Sequence, residues 1–465
     1  MELPDALKYS ASHSTIRTNR FRLVPQGSDT VNPNGTVRVR LPEKSLVRLS
    51  SLSAYFTATV SGLTNDATNW VNAQVPASYK FFRSVRFYVG GQIASGGLCN
   101  HYDQIYDALL KASADEAFLQ SRFNEGYKEL LGASDDAVIG QPLLYATPGA
   151  GVTEKKQYLT CSDFLGLPRC NGGGGVIDTS LFNSVEIEFS MNDDSILNIA
   201  TGGTGAASGV SWKLDDFRVD VDCVVSVSPL YVEMMALRLA ESAPIKFPYQ
   251  NMVSVIATNT NSNRVQVNSQ SVDMMLCAPL RNAYNTKQKI SNNQLCCNHY
   301  KYDSKIGTAG GTASNQQTYI TNEGTISLSL TVGSDQYPKL PIKHALEVPD
   351  LTINTLYHGS LQSKNLFSHG ILGGTVGKSR TYGLSDNFIW IQNFSLESEG
   401  WASRRLTGID TSAQNVDIIL NSSGFGAVSE GTDGNSATGN LWLMAALLTS
   451  TLQYDPTTAS VSIIQ

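Results

Sequence analysis

The stretch Asp215-Asp-Phe-Arg-Val-Asp-Val-Asp-Cys-Val-Val-Ser-Val-Ser228 alternates apolar and polar side chains with one break, at Val224. Phe217, Val219, Val221, Cys223, Val225 and Val227 share one face; Arg218, Asp220, Asp222, Ser226 and Ser228 share the other. Successive side chains of a strand point to opposite faces, so this is a long strand buried on one side and wet on the other. Ser228-Pro229 then supplies a helix start, with Leu230, Met234 and Leu237 at helical spacing. Ile245, Phe247 and Tyr249 return to period two. A strand, a short helix and a strand therefore stand where one half of the chain hands over to the other.

The same grammar extends outward on both sides. Toward the N-terminus, strands are expected at Val37–Leu41, Leu49–Val60, Phe81–Val89 and Val185–Phe189, the third closed by the tight-turn pair Gly90-Gly91. Between them, Tyr102, Ile105, Tyr106, Leu109 and Leu110 form the stripe of an amphipathic helix. A second helical patch covers about 115–131, and residues 132–180 read as loop. Toward the C-terminus, strands are expected at Val253–Ile256, Arg264–Val267, Val272–Cys277, Thr325–Val332, Phe388–Leu396, Val416–Leu420, Leu441–Thr451 and Ser460–Ile464, with a short helix within Ala345–Leu356. Long Gly, Ser, Asn and Thr tracts separate them.

Composition agrees with this reading. The 465 residues are long for one core, which makes two domains the expectation. Charged residues are only 16%, and 39 glycines with many Ser, Thr and Asn suit turn-rich β structure. Strands without intervening helices exclude a parallel βαβ fold and point to paired β-sandwiches, with the jelly roll as the natural candidate. A net charge of −6 argues against a dedicated nucleic-acid binder. No apolar run reaches the length of a membrane-spanning helix, and the N-terminus lacks the pattern of a secretory signal. Seven cysteines form no regular framework and are expected to be reduced, with Cys223 packing as a small hydrophobe.

Candidate chemistry is thin. Gly373-Gly-Thr-Val-Gly-Lys-Ser379 is one residue short between its glycines for a phosphate-binding loop. The glycine runs at 172–175 and 202–209 lack a following Lys. Cys296, Cys297 and His299 lack the second ligand pair of a zinc site, and Asn192-Asp-Asp194 lacks the register of a calcium loop and is expected to be a turn. No nucleophile elbow and no metalloprotease helix is present. Asn34, Asn393 and Asn421 begin glycosylation sequons, which matter only in a secreted chain. No catalytic, cofactor-binding or metal residues are therefore assigned. A carbohydrate-binding or carbohydrate-cleaving β-sandwich remains the alternative, its acid pair being invisible in sequence. Each of Trp70, Trp212, Trp390, Trp401 and Trp442 is expected in a core.

The order of segments resembles the double jelly-roll major capsid proteins of icosahedral double-stranded DNA viruses, most closely those of virophages, polinton-like viruses and relatives of large DNA viruses. The likeness rests on Phe82-Arg-Ser-Val-Arg-Phe-Tyr-Val-Gly-Gly-Gln92 followed by the helix at His101–Leu110. It rests also on the midpoint segment with Ile245-Lys-Phe-Pro-Tyr249, and on Phe388-Ile-Trp-Ile391, Leu406–Ser412 and Leu441–Asp455 near the end. It implies an all-β chain of two consecutive eight-stranded jelly rolls with short helices in loops. Residues 1–24, with Arg17, Arg20 and Arg22, would be an arm on the inner face of the shell, 25–240 the first roll with its connecting helix, and 241–465 the second.

Membership further implies a homotrimer of pseudo-hexagonal outline, self-assembled in the infected cell into the virion capsid. Its partners would be neighbouring capsomers and minor capsid or penton proteins, with an internal membrane or the genome against the arm. No small-molecule substrate, cofactor or catalysis is implied, and a minor capsid or vertex component is a further alternative. The two rolls are expected to be rigidly paired through the short span between 228 and 245.

Overall fold

The computed structural model describes residues 17–464 apart from 66–69, 76, 114–153, 163, 170–174, 183, 203–208, 227–228, 243, 259–261, 282–324, 346–389, 395–407, 413–416 and 424–439. The first half carries β1 (Arg17–Leu23), β2 (Thr36–Arg40), β3 (Leu46–Ser61), β4 (Thr64–Asn65), β5 (Trp70–Gln74), β6 (Phe82–Val89) and β7 (Gln92–Ser95). Helix α1 (Tyr102–Ser113) follows, then β8 (Glu154–Ser162), β9 (Val176–Asp178), β10 (Val185–Met191), β11 (Asn198–Gly202) and β12 (Ser211–Ser226). Helix α2 (Pro229–Ala240) leads to β13 (Ile245–Thr258), β14 (Ser262–Gln266), β15 (Val272–Arg281), β16 (Thr325–Val332) and β17 (Asp335–Ala345). The chain closes with β18 (Trp390–Asn393), β19 (Asp417–Ser423), β20 (Asn440–Asp455) and β21 (Ser460–Ile464).

These strands form two sandwiches with one topology. In the first, one sheet runs β1-β12-β3-β8 and the facing sheet β2-β10-β6-β7, with β9 also on β3 and a small sheet β11-β5-β4 beside them. In the second, the sheets run β13-β20-β15-β18 and β14-β19-β16-β17, with β21 on β20. Setting aside β4, β5, β9, β11 and β21, eight strands remain in each. In both halves the first, eighth, third and sixth share one sheet, and the second, seventh, fourth and fifth share the other. The chain crosses between the sheets in the same way twice, which is the jelly roll, twice over. Both fourth-to-fifth connections are two-residue hairpins, closing Val89 on Gln92 and Val332 on Asp335. Gly90 (φ 57°), Gly91 (φ 82°) and Gly333 (φ 61°) supply the left-handed backbone that such turns need.

The first core is aromatic. Phe56 on β3 stacks on Phe217 of β12 at 5.8 Å, and Phe217 meets Phe189 of the facing sheet edge-on at 5.4 Å. Phe217, Val219, Val221 and Cys223 are all buried, as the midpoint alternation predicts. The second core holds Trp390, Trp442, Leu328, Leu330, Met275 and Met444.

The structure departs from the sequence reading at several points. The arm expected over 1–24 is a strand over Arg17–Leu23, paired with β12 from Arg17↔Ser226 to Leu23↔Val219. Its three arginines masked the pattern, because they lie on the exposed side of an edge strand. The segment 132–180, read as loop, contains β8 and β9; Lys155 and Lys156 in β8 hide its alternation. Strand β17 was missed because Pro338 and Pro341 break the pattern, which an edge strand tolerates. The patch at 115–131 and all of Ala345–Leu356 beyond Ala345 lie outside the described residues.

Candidate assembly interface

None of the sequence candidates forms a chemical site among the described residues. Asn192–Asp194 is a turn: the Asn192 side-chain amide donates to Lys80 O at 2.7 Å, and Asp193 accepts from Ser195 N at 3.0 Å. Gly175 (φ 70°) accepts from Leu49 N at 2.7 Å and serves the β3 backbone. Gly373–Ser379, Cys296, Cys297 and His299 lie outside the described residues. Cys99, Cys161, Cys223 and Cys277 are buried free thiols, and Trp212, Trp390 and Trp442 are core residues. The side chains of Trp70 and Trp401 lie outside the described residues.

What the fold does build is a seam between the sandwiches. Strand β13 is the edge of its sheet, paired on one side with β20. An edge strand leaves a row of backbone groups without sheet partners. Here the first sandwich takes them up: Gln250 N donates to Arg169 O at 3.1 Å and Ser254 N donates to Leu98 O at 3.1 Å, with a parallel bridge between Leu98 and Val253. Side chains reinforce the join. Tyr249 donates its hydroxyl to Ala94 O, the Asn251 carbonyl accepts from Gly96 N at 3.2 Å, and His101 Nδ1 lies 3.2 Å from Ser254 Oγ. Burial pushes the Cys99 thiol up to about 11, against hydrogen bonds at Ser254 and His101 that favour the thiolate.

The apolar packing crosses the same line. Along β20, Trp442, Met444, Ala446 and Leu448 enter the second core, whereas Leu443, Ala445 and Leu447 belong to the cluster of the first sandwich together with Met252, Met274 and Leu276. The sheet is covered on both faces, which explains why Leu441–Leu448 reads as an unbroken apolar run. Phe182 adds edge-on contacts to Phe247 at 6.0 Å and Tyr454 at 6.1 Å.

Among its described side chains, the connecting helix is largely exposed. In α2, Val232, Met234 and Leu237 are 58–60% exposed. The described contacts that join the halves are made by β13. The sequence signal available was Tyr249-Gln-Asn-Met-Val-Ser254, where polar residues stand on a strand buried throughout.

Among the described residues, the outer face of the equivalent sheet in the first sandwich is lined by polar and aromatic side chains, with Asp220 and Thr59 buried, Tyr55 and Arg218 half-buried and Tyr158 exposed. Arg20 donates to the Tyr55 hydroxyl at 2.8 Å and Arg218 to the Tyr158 hydroxyl at 2.9 Å. Arg218 also lies over both rings, at 5.5 and 5.9 Å. Arg20 and Arg22 share the one Asp220 carboxylate, each at 3.6 Å. Every residue of β1 except Leu23 is exposed.

No protein-family model and no curated protein matches the sequence. Solved structures do match the fold. The Faustovirus major capsid protein is 9% identical, with a TM-score of 0.53 covering 94% of this chain and 90% of that one. A chain of the Sputnik virophage structure is 12% identical, with a TM-score of 0.54 covering 96% and 88%. A chain of the PBCV-1 virus capsid is 13% identical, with a TM-score of 0.52 covering 97% of each. The chain therefore has the double jelly-roll fold of these capsid structures, along nearly its whole length.

Proposed function

We propose that this chain is a major capsid protein, a structural building block that acts by self-association and performs no catalysis. The observation that carries this is the seam. Two sandwiches of one topology stand side by side, joined through an edge strand, so that each is a unit of a repeating row. Three copies then give six units in a pseudo-hexagonal tile, and tiles with minor capsid and penton proteins close an icosahedral shell in the virion. The fold shared with the Faustovirus, Sputnik and PBCV-1 structures supports the same role.

In this reading the first roll begins at Arg17 and ends with α2, and the second occupies 241–465. Residues 1–16 are the arm, directed at an internal membrane or the genome. The test is sedimentation and negative-stain microscopy of the purified protein. Trimers of hexagonal outline, or closed shells, are expected. A monomer at every concentration and ionic strength overturns the reading.

A further inference from the structure

The run Ile-Asp-Thr-Ser occurs twice, at Ile177–Ser180 in the first roll and at Ile409–Ser412 in the second. Each copy lies between the sixth and seventh strands of its roll and returns to the third strand. Ile177 pairs with Val47 of β3, and Ile409 exchanges backbone hydrogen bonds with Val272 of β15 at 2.9 and 3.0 Å. The threonines repeat one pattern. Thr179 N and its hydroxyl both donate to Ser45 O, at 2.9 and 2.8 Å, and the hydroxyl accepts from Ser45 N at 2.9 Å. Thr411 does the same with Ser269, at 2.8, 3.2 and 3.1 Å. Asp178 and Asp410 accept from Ser180 N and Ser412 N, each at 2.9 Å. One clip is thus built twice, and each copy covers the stretch of third-strand edge that the sixth strand leaves open.

The two clips differ in what lies beneath them. After the paired valine, the first roll has Arg48, exposed, with Nε donating to Ser50 Oγ at 3.2 Å. The second has Asp273, buried, its Oδ1 accepting from Ser271 Oγ at 2.7 Å and its Oδ2 from Thr449 Oγ1. Ser271 Oγ in turn accepts from Gly408 N at 3.0 Å, the residue that leads into the clip. Gly408 lies so near that a Cβ there would stand 2.4 Å from Val272 O. Among the described residues, no packed element turns a charge toward the carboxyl. β20 brings Thr449, the residue after β18 donates Phe394 N to the Asp273 backbone carbonyl, and Asp410 of the clip is exposed and holds Ser412.

We infer that the second clip is a proton-controlled latch and the first a permanent one: Ile409–Ser412 holds to β15 most firmly while Asp273 is protonated and loosens when Asp273 ionises. Burial is the main reason the docked carboxyl titrates at about 6, so lifting the clip and admitting water returns it toward 3.8. Protonation therefore favours the docked clip. Opening grows as pH rises between those two values and is level above about 6. Asp178 and Asp410 are common to both clips, so whatever they contribute is shared; only the second clip covers a carboxyl. The inference goes beyond the capsid reading and does not rest on it.

The test is amide hydrogen exchange of the full chain at pH 5 and pH 7, each rate divided by the intrinsic rate at that pH. Peptides covering 176–180 and 408–412 are read from the same digest, so the first clip is the internal control. Protection of the second clip is expected to fall roughly tenfold more than that of the first between the two pH values. Asp273→Asn is expected to abolish the difference. Thr449→Val removes a donor to the ionised carboxylate and is expected to move the fall to higher pH, which keeps the test independent of whether Asp273→Asn folds. An equal response of the two clips in the wild type overturns the inference, as does a difference that survives in folded Asp273→Asn or a window that Thr449→Val leaves in place. The capsid reading stands under each of these results, because both clips lie within one chain.

Discussion

Tyr249 donates its phenolic hydroxyl to the backbone carbonyl of Ala94, a fully buried hydrogen bond across the join between the two sandwiches. Burial drives the phenol pKa upward, so the proton stays on the tyrosine and the donor is permanent at any ordinary pH. Tyr249→Phe keeps the ring and removes the donor, leaving that carbonyl short of a partner in a dry seam. The expected cost is about 1–2 kcal/mol, read as a lower urea midpoint. An unchanged midpoint would show that the seam does not depend on this contact.

Gly96 stands at the same join. Its backbone has φ 78°, and a Cβ there would lie 2.1 Å from the Val85 carbonyl oxygen. Gly96→Ala must move backbone that also presents Gly96 N to Asn251. A loss of roughly 2 kcal/mol or more is expected, with new protease cleavage near residue 96.

Asp273 gives the second roll a pH dependence. Burial dominates, and it raises the carboxyl from 3.8 to about 6 despite hydrogen bonds from Thr449 and Ser271. The folded state thus prefers the protonated acid. Stability from this group is fully present below 3.8, is lost as pH rises through about 6, and is level above that. The whole change is on the order of 3 kcal/mol. Urea midpoints of wild type across that window should fall with rising pH, and Asp273→Asn should flatten the slope.

Glu188 on β10 is held between Arg38 of β2, at 2.6 Å, and Arg86 of β6, at 3.2 Å. Its side chain is 6% exposed, whereas the Arg40–Glu43 pair is open to solvent on both sides. Glu188→Gln removes the charge that both arginines share and weakens two charge-assisted hydrogen bonds, although Arg38 and Arg86 still reach solvent; breaking an exposed pair does little. Glu188→Gln is therefore expected to lower the thermal midpoint by a few degrees, on the order of 1 kcal/mol, and Arg40→Ala hardly at all.

The helix α2 makes the opposite case. Leu237→Ser, at a site 60% exposed, should leave monomer stability within about 0.5 kcal/mol in urea titration. A large loss would return the pinning role to the helix.

Much of the fold is legible in the chain alone. Period-two alternation located β12, β10 and β16, because each turns apolar side chains to one face and polar ones to the other. The stripe from Tyr102 to Leu110 located α1 for the corresponding reason at period 3.6. Elements whose environment is not one-sided escaped. β1 lies at a sheet edge with arginines outward, β17 carries prolines, and β8 hides its buried Leu159 and Cys161 among lysines.

The seam belongs to the tertiary structure. Sequence determined that there are two β-rich halves with a strand, helix and strand between them, since those follow from local burial and turn chemistry. It pointed to α2 as the link because nearness in sequence is all that sequence can measure. Only the folded chain decides that Leu98 meets Val253 and Tyr249 meets Ala94, about 155 positions apart. Such contacts form when two sheets present matching edges, a property of backbone placement rather than of any residue type.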